Sequence, residues 1–121
     1  MTIINKNTPP VVEDIEKFLK NITFNLPEGF MDFFKTTNGA DIDTGRNYLV
    51  LWPLTEMLKL NEEYNVAIYA PEFFVFGSDG GDIAYAIQKN TGNIFEIPFI
   101  GMSKKQAVFK YNTFTEFLEN L

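Results

Sequence analysis

The sequence predicts an α+β fold in which helices pack on an antiparallel sheet, and it predicts one domain over residues 1–121. Two observations indicate this class: helical patterns occupy both ends of the chain, and short strand-like runs joined by glycine turns lie between them. A third is size. A chain of 121 residues with 45% hydrophobic and 16% aromatic residues can build one core.

An N-terminal pair of helices is predicted. Thr8 can cap the first helix, and Pro9 and Pro10 suit its first turn, where a missing N–H costs nothing. Apolar residues then recur at helical spacing on one face, and these are Val12, Ile15, Leu19 and Ile22. Pro27 opens a second, shorter helix, which ends at Asn38-Gly39 and whose apolar stripe is Phe30, Phe33 and Phe34.

The middle of the chain alternates loops, strands and one helix. The segment ADIDTGRN (40–47) is predicted to be a polar loop, YLVLW (48–52) a buried strand, and residues 55–62 a short helix. Three further strands form a meander with tight turns, over FFVFGS (73–78), DIAYAIQ (82–88) and NIFEIPF (93–99). The segment 99–108 is ambiguous between loop and strand.

The chain is expected to close with a helix over NTFTEFLENL (112–121). Thr113 and Glu116 match a capping box, in which each side chain accepts a backbone N–H at the start of the helix. The apolar face of this helix consists of Phe114, Phe117, Leu118 and Leu121.

The composition excludes several kinds of function. The chain has no cysteine and no histidine, which removes disulfides, thiolate metal sites and the Ser-His-Asp triad. Its formal net charge of −6 argues against nucleic acid and anionic membrane as partners. The N-terminus lacks a signal-peptide pattern, and no apolar stretch approaches the roughly 20 residues that span a bilayer. We therefore expect a cytoplasmic protein.

The segment GSDGGD (77–82) is the strongest candidate for chemistry in the chain. A phosphate loop would need a following helix, and a divalent cation would need about six oxygen ligands, of which Asp79 and Asp82 supply two. Ser78 has no histidine to activate it. The flanking alternation favours a structural hairpin turn at 79–82, with glycine supplying a positive φ. We expect no catalytic residue, no metal site and no cofactor.

Three segments together resemble the SUKH superfamily. LPEGFMDFFKTTNG (26–39) is similar to a helix of that family, FFVFGSDGGDIAYAI (73–87) to its strand–turn–strand signature, and NTFTEFLENL (112–121) to its closing helix. The resemblance implies a bent antiparallel sheet flanked by helices and no enzymatic activity. It also implies one of two roles: bacterial members bind and neutralise toxin domains, many of them nucleases, and a fungal branch regulates cell-wall synthesis.

We therefore expect a protein-binding module rather than an enzyme. The first hypothesis is an immunity-type protein that neutralises a basic toxin domain by direct contact, and the alternative is a regulatory or scaffold domain with no toxin partner. Acidic residues in predicted loops are the candidate partner contacts, with two aromatic residues as a second location. These candidates are Asp41, Asp43, Glu72, Asp79 and Asp82, and then Trp52 and Tyr69.

Overall fold

Seven strands, each antiparallel to the next and arranged in chain order, form the sheet of this computed structural model, which describes residues 3–121. The sheet does not close, so β1 and β7 are its edges. The strands are β1 (Ile3–Lys6), β2 (Ala40–Asp43), β3 (Tyr48–Leu51), β4 (Phe73–Ser78), β5 (Ile83–Gln88), β6 (Ile94–Pro98) and β7 (Val108–Tyr111). The predicted α+β class is confirmed.

Five helices accompany the sheet in the described part of the chain: α1 (Val12–Asn21), α2 (Phe30–Phe34), α3 (Leu54–Glu63), α4 (Val66–Tyr69) and α5 (Phe114–Glu119). The predicted N-terminal pair and C-terminal helix are confirmed, but the predicted bounds of the second helix are wrong: α2 follows an N-cap at Gly29 rather than opening at Pro27, and it ends well before Asn38-Gly39. Thr113 caps α5 as predicted, since its Oγ1 accepts the N–H of Glu116 at 3.0 Å. Glu116 reaches one residue further back than in a standard capping box, because its Oε2 accepts the N–H of Asn112 at 3.3 Å rather than that of Thr113.

Aromatic rings from α2 and α5 fill the core on one face of the sheet. Phe114 lies 5.2 Å from Phe30 and 5.4 Å from Phe76 of β4, measured between ring centroids. Phe117 lies 5.3 Å from Tyr85 of β5. Since buried aromatic rings carry large apolar areas, this cluster is a main source of the stability of the fold. We call this side the helix-covered face.

The start and the buried face of α1 differ from the prediction. The helix begins at Val12 and its N-cap is Val11, not Thr8. The two prolines explain the shift, since a residue before proline is driven out of the helical region. Val12 and Leu19 are 68% and 44% exposed, whereas Phe18 is 2% exposed. The ring of Phe18 packs on other core rings, so the helix turns that larger side chain inward.

Two further segments form strands that the sequence analysis missed. Residues 40–43, predicted as a polar loop, form β2, in which Ala40 and Ile42 are buried while Asp41 and Asp43 are exposed. The polar lead-in contributes β1, which pairs with β2. The ambiguous segment 99–108 contains a loop and a 3₁₀ turn and then enters β7. Pairing partners, rather than local propensity, decide these strands.

Strands β3 and β4 are joined over a short stretch only. Their register pairs are Val50 with Ser78 and Leu51 with Gly77, and Trp52 N donates to the carbonyl oxygen of Phe76 at 2.9 Å. Glycine is required at 77, because a Cβ there would lie 2.5 Å from the carbonyl oxygen of Val50. Beyond this junction the chain leaves the sheet at Pro53 and enters α3.

The side chain of Asn61 on α3 closes the edge that β3 leaves open on β4. Asn61 Oδ1 accepts the N–H of Val75 at 2.8 Å, and Nδ2 donates to the carbonyl oxygen of Val75 at 2.7 Å. The carboxamide thus makes the two hydrogen bonds that a neighbouring strand would make. Val75 is fully buried, so these groups have no ready access to water.

We predict that Asn61→Ala lowers the free energy of unfolding by about 2–4 kcal/mol, because it leaves a buried donor and a buried acceptor of Val75 unpaired. The matched control is Asn21→Ala, since Asn21 Nδ2 donates to the carbonyl oxygen four residues earlier, as Asn61 also does. Urea denaturation of both variants measures the difference. Equal losses in the two variants would show that the contact with Val75 contributes nothing.

Candidate protein-binding surface

The GSDGGD segment is a β-hairpin turn, as predicted. Asp79 Oδ1 accepts the N–H of Gly81 at 2.8 Å and that of Ile83 at 3.2 Å, while Asp79 N donates to the carbonyl oxygen of Ile83 at 3.0 Å. Gly80 has a φ of 82°, where a side chain would be strained. Strand β5 follows directly, so the helix that a phosphate loop requires is not there.

The two aspartates of this turn therefore have different roles. The carboxylate of Asp79 is engaged in holding the turn, and its residue is only partly exposed. Asp82 is exposed, and it is the backbone carbonyl of Asp82, not its side chain, that accepts the N–H of Phe99 at 2.9 Å. Of the pair, Asp82 has the carboxylate that is better placed to meet a partner.

Asp41 and Asp43 lie together on a sheet surface. In the register of β1, β2 and β3, Asp41 is paired with Asn5, and Asp43 with Tyr48. Cross-strand partners point to the same side of a sheet, so these side chains form one surface, opposite the helix-covered face. They border a shallow groove of about 250 Å³. We call this surface the open face and define it as Asn5, Asp41, Asp43 and Tyr48.

The open face carries negative charge that the described chain does not neutralise. Within residues 3–121 the salt bridges are Lys59 with Glu63 and Lys110 with Glu96, and neither involves Asp41 or Asp43. Asp43 Oδ1 accepts the N–H of Gly45 at 2.8 Å, which holds its side chain in place. The hairpin turn adjoins this face, since a Cβ on Gly80 would lie 3.9 Å from Tyr48 Cδ1.

The remaining candidate residues lie elsewhere. Glu72 and Tyr69 are at the opposite end of β4 from the hairpin, and six strand residues span about 20 Å. Tyr69 is 58% exposed. Glu72 is partly buried, and its Oε1 has no hydrogen-bond partner among the described residues. The structure therefore does not bring these two side chains together with the four aspartates.

Trp52 is almost completely buried, at 7% exposure. Its ring stacks against Tyr64, with 5.8 Å between centroids and 13° between planes, and against Phe99 at 6.4 Å. Tyr64 is 46% exposed. A partner approaching this cluster would meet Tyr64 first, and the ring of Trp52 serves chiefly as its support.

The sequence analysis did not select Asn5 and Tyr48, which complete the open face. The reason is the assignment of residues 40–47 to a loop, which hid the pairing of β2 with β1 and β3. The signal was present, because Ala40, Asp41, Ile42 and Asp43 alternate apolar and acidic residues with the period of a half-buried strand.

A second concavity of about 230 Å³ lies on the helix-covered face, beside the C-terminal end of α5. We call it the tyrosine groove, and its main lining residues are Asn47, Tyr85, Glu96, Lys110, Tyr111 and Phe117. Burial raises the pKa of Tyr85 to about 12, and the negative charges of Glu96 and Asp79 contribute in the same direction. The phenol of Tyr85 is therefore protonated at neutral pH.

Two broader features concern metals and membranes. Among residues 3–121, no group of three or more His, Cys, Asp or Glu side chains is arranged to hold a metal ion. None of the described helices is both long and apolar enough to cross a bilayer.

A family model described as the SMI1 / KNR4 family (SUKH-1) matches residues 9–120. The chain belongs to this family. The match covers nearly all of the chain and confirms the resemblance seen in the three motifs. Comparison with curated proteins gives no significant match. The SUKH-1 assignment agrees with the antiparallel sheet and its flanking helices.

We predict that Asp79→Ala destabilises this SUKH-1 domain by about 1–3 kcal/mol, because two backbone N–H groups of the turn lose a charged acceptor. Asp82→Ala is the matched control, and we expect a change within about 0.5 kcal/mol because the residue is exposed. Chemical denaturation measures both. The assignment of a structural role to Asp79 fails if the two substitutions cost the same.

A second prediction concerns the pH dependence of stability. The pKa of Tyr85 is about 12 in the folded state against 10.0 for an ordinary tyrosine. Between these values the folded state retains a proton that the unfolded state has lost. The corresponding contribution to the free energy of unfolding is fully present below pH 10.0 and is lost as the pH rises towards about 12. Denaturation at about pH 9 and about pH 11 should show a larger loss for the wild type than for Tyr85→Phe. Parallel losses would contradict the assignment.

Proposed function

We propose that this SUKH-1 domain is a non-enzymatic, immunity-type protein that neutralises a basic toxin domain by direct contact through its open face. The observation that carries the proposal is the pair of carboxylates, Asp41 and Asp43, on one strand of the sheet. Neither is paired with a basic side chain in the described part of the chain. Family membership supports a binding role, since the resemblance implies that bacterial members bind toxins.

Charge complementarity explains why a nuclease toxin suits this surface. A nuclease must carry Lys and Arg residues where it contacts phosphates. An acidic protein that covers those residues prevents the nucleic acid from binding, and it is attracted by the same positive charges. The formal net charge of −6 steers such a partner during association, which chiefly raises the association rate.

The rigidity of the strand adds to this effect. Asp41 and Asp43 alternate with the buried residues Ala40 and Ile42, so the backbone that carries them is held by the core. Ordering flexible groups at an interface costs free energy on binding. Carboxylates presented from a paired strand avoid much of that cost, and the hydrogen bond from Gly45 N to Asp43 Oδ1 orders one of them further.

The test takes the protein encoded by the neighbouring gene as the candidate toxin, in co-expression and in surface plasmon resonance. We predict that Asp41→Lys with Asp43→Lys lowers the association rate by about tenfold at low salt, flattens its salt dependence and impairs growth rescue. Reversed charges on the open face repel the basic partner instead of attracting it. Thermal unfolding should change only modestly, because both residues are exposed and the hydrogen bond from Gly45 N to Asp43 Oδ1 is the one hydrogen bond of these side chains, within the described residues, that is lost.

The matched control is Glu13→Lys with Glu16→Lys, two exposed residues of α1. This variant shifts the formal net charge of −6 by the same amount but leaves the open face intact. We expect it to retain growth rescue and most of the association rate. If both double variants behave alike, the effect is one of total charge and the open face is not the binding surface. If the wild type gives no rescue, the regulatory alternative without a toxin is favoured.

A further inference from the structure

Three aromatic rings form part of the wall of the tyrosine groove. Tyr85 packs against Phe117 with 5.3 Å between ring centroids, and Tyr111 lies 6.1 Å from the same ring. Phe117 is itself buried and anchored on α5, so it holds both phenol rings in place. The volume of about 230 Å³ is below the roughly 300–1,000 Å³ of a small-molecule pocket, and it suits a single side chain.

The charged side chains that line this groove are those of Glu96 and Lys110. Lys110 Nζ lies 3.7 Å from Glu96 Oε2, and the two side chains are 39% and 33% exposed. A pair of this length and exposure contributes little to stability. The long flexible stem of Lys110 allows its ammonium to leave Glu96 at small cost, and the carboxylate of Glu96 is then available to another cation.

We propose that the tyrosine groove receives an arginine side chain of a protein partner, whose guanidinium displaces Lys110 from Glu96 and packs against the rings of Tyr85 and Tyr111. The inference rests on the proposed function in one respect, namely that the partner is a basic protein. It adds a second contact site, on the face of the sheet opposite to the open face, and it specifies the residue type that enters.

The chemistry of the groove favours arginine over other occupants. A guanidinium is planar and weakly hydrated, stacks on aromatic faces and donates two parallel hydrogen bonds to a carboxylate. The ammonium of lysine is more strongly hydrated and lacks that planar geometry. An anion would be repelled by the carboxylate of Glu96 and by the formal net charge of −6. Burial is the main cause of the raised pKa of Tyr85, and the negative charges of Glu96 and Asp79 add to it.

The experiment titrates N-acetyl-arginine amide into the isotope-labelled protein and follows backbone amide shifts by NMR. We expect saturable shifts at residues 85, 96 and 111, and none with the neutral analogue N-acetyl-citrulline amide. Glu96→Gln should weaken binding about tenfold, since a charge-assisted hydrogen bond is replaced by a neutral one. Lys110→Met should strengthen binding, because it removes the competing cation.

The opposite signs of these two variants make the test specific. For an anionic ligand Lys110 would be the binding group, so Lys110→Met would weaken binding and the proposal would be overturned. The matched controls are Glu63→Gln and Lys59→Met, which alter an exposed ion pair of similar length, 3.8 Å, that is not part of the tyrosine groove. Neither should change the titration. Thermal unfolding of each variant verifies that it is folded.

Failure of this inference is distinguishable from failure of the proposed function. If the arginine derivative causes no saturable shifts, or if Glu96→Gln leaves them unchanged, the groove does not bind arginine, whatever the outcome of toxin rescue. If the derivative binds as expected but the toxin domain is not neutralised, the groove proposal stands and the toxin proposal fails.

Discussion

The rest of the structure depends on the position of β4. All six of its residues are buried, and its Phe76 meets the rings of Phe30, Phe114 and Phe117 from two helices. Only its C-terminal half has β3 as a neighbour, and the carboxamide of Asn61 replaces the missing strand at Val75. A central strand can therefore lose a partner midway without leaving buried backbone groups unpaired.

The first three strands of the sheet have one buried side and one exposed side. The strands β1, β2 and β3 bury one side, through Ile42, Leu49 and Leu51, and leave the carboxylates of the open face on the other. Asn47 lines the tyrosine groove, and Tyr48 belongs to the open face. Asn47 is the last residue of the turn between β2 and β3 and Tyr48 is the first residue of β3, so the two surfaces come close together at this turn. A protein that occupied both proposed sites would therefore span this turn.

Most of the fold could be predicted from the sequence, but fewer of the residues on the proposed binding surfaces could. The meander β4–β5–β6, the hairpin at Gly80 and the closing helix with its Thr113 cap have strong local signals, and the structure agrees with them. The partner-dependent elements were harder. The strand at Asp41 and Asp43 exists because β1 and β3 flank it. Of these partners β3 was predicted, whereas β1 lies far away in sequence, in the polar N-terminal segment, and was not. The predicted buried face of α1 was wrong. Phe18 is buried in place of Val12 and Leu19 because it packs against core rings from other elements, which the sequence of the helix alone does not show.

The tyrosine groove lay beyond prediction for a related reason. Its walls come from β5, β7 and α5, and no local pattern shows that Tyr85, Tyr111 and Phe117 converge. The role of Asn61 could likewise not be predicted, since nothing in the local sequence indicates that the side chain of a helical asparagine pairs with a strand. Placing such residues requires the three-dimensional packing, whereas turns and caps follow from a few neighbouring residues.

The central claim is that the open face binds a basic protein partner. Hydrogen–deuterium exchange of the chain, alone and with the protein encoded by the neighbouring gene, tests it most directly, because slowed exchange maps the contact without any substitution. The account predicts slower exchange in residues 40–50 and in the hairpin turn at 79–82, with no change in α1. Protection confined to α1, with unchanged exchange in residues 40–50, would contradict it.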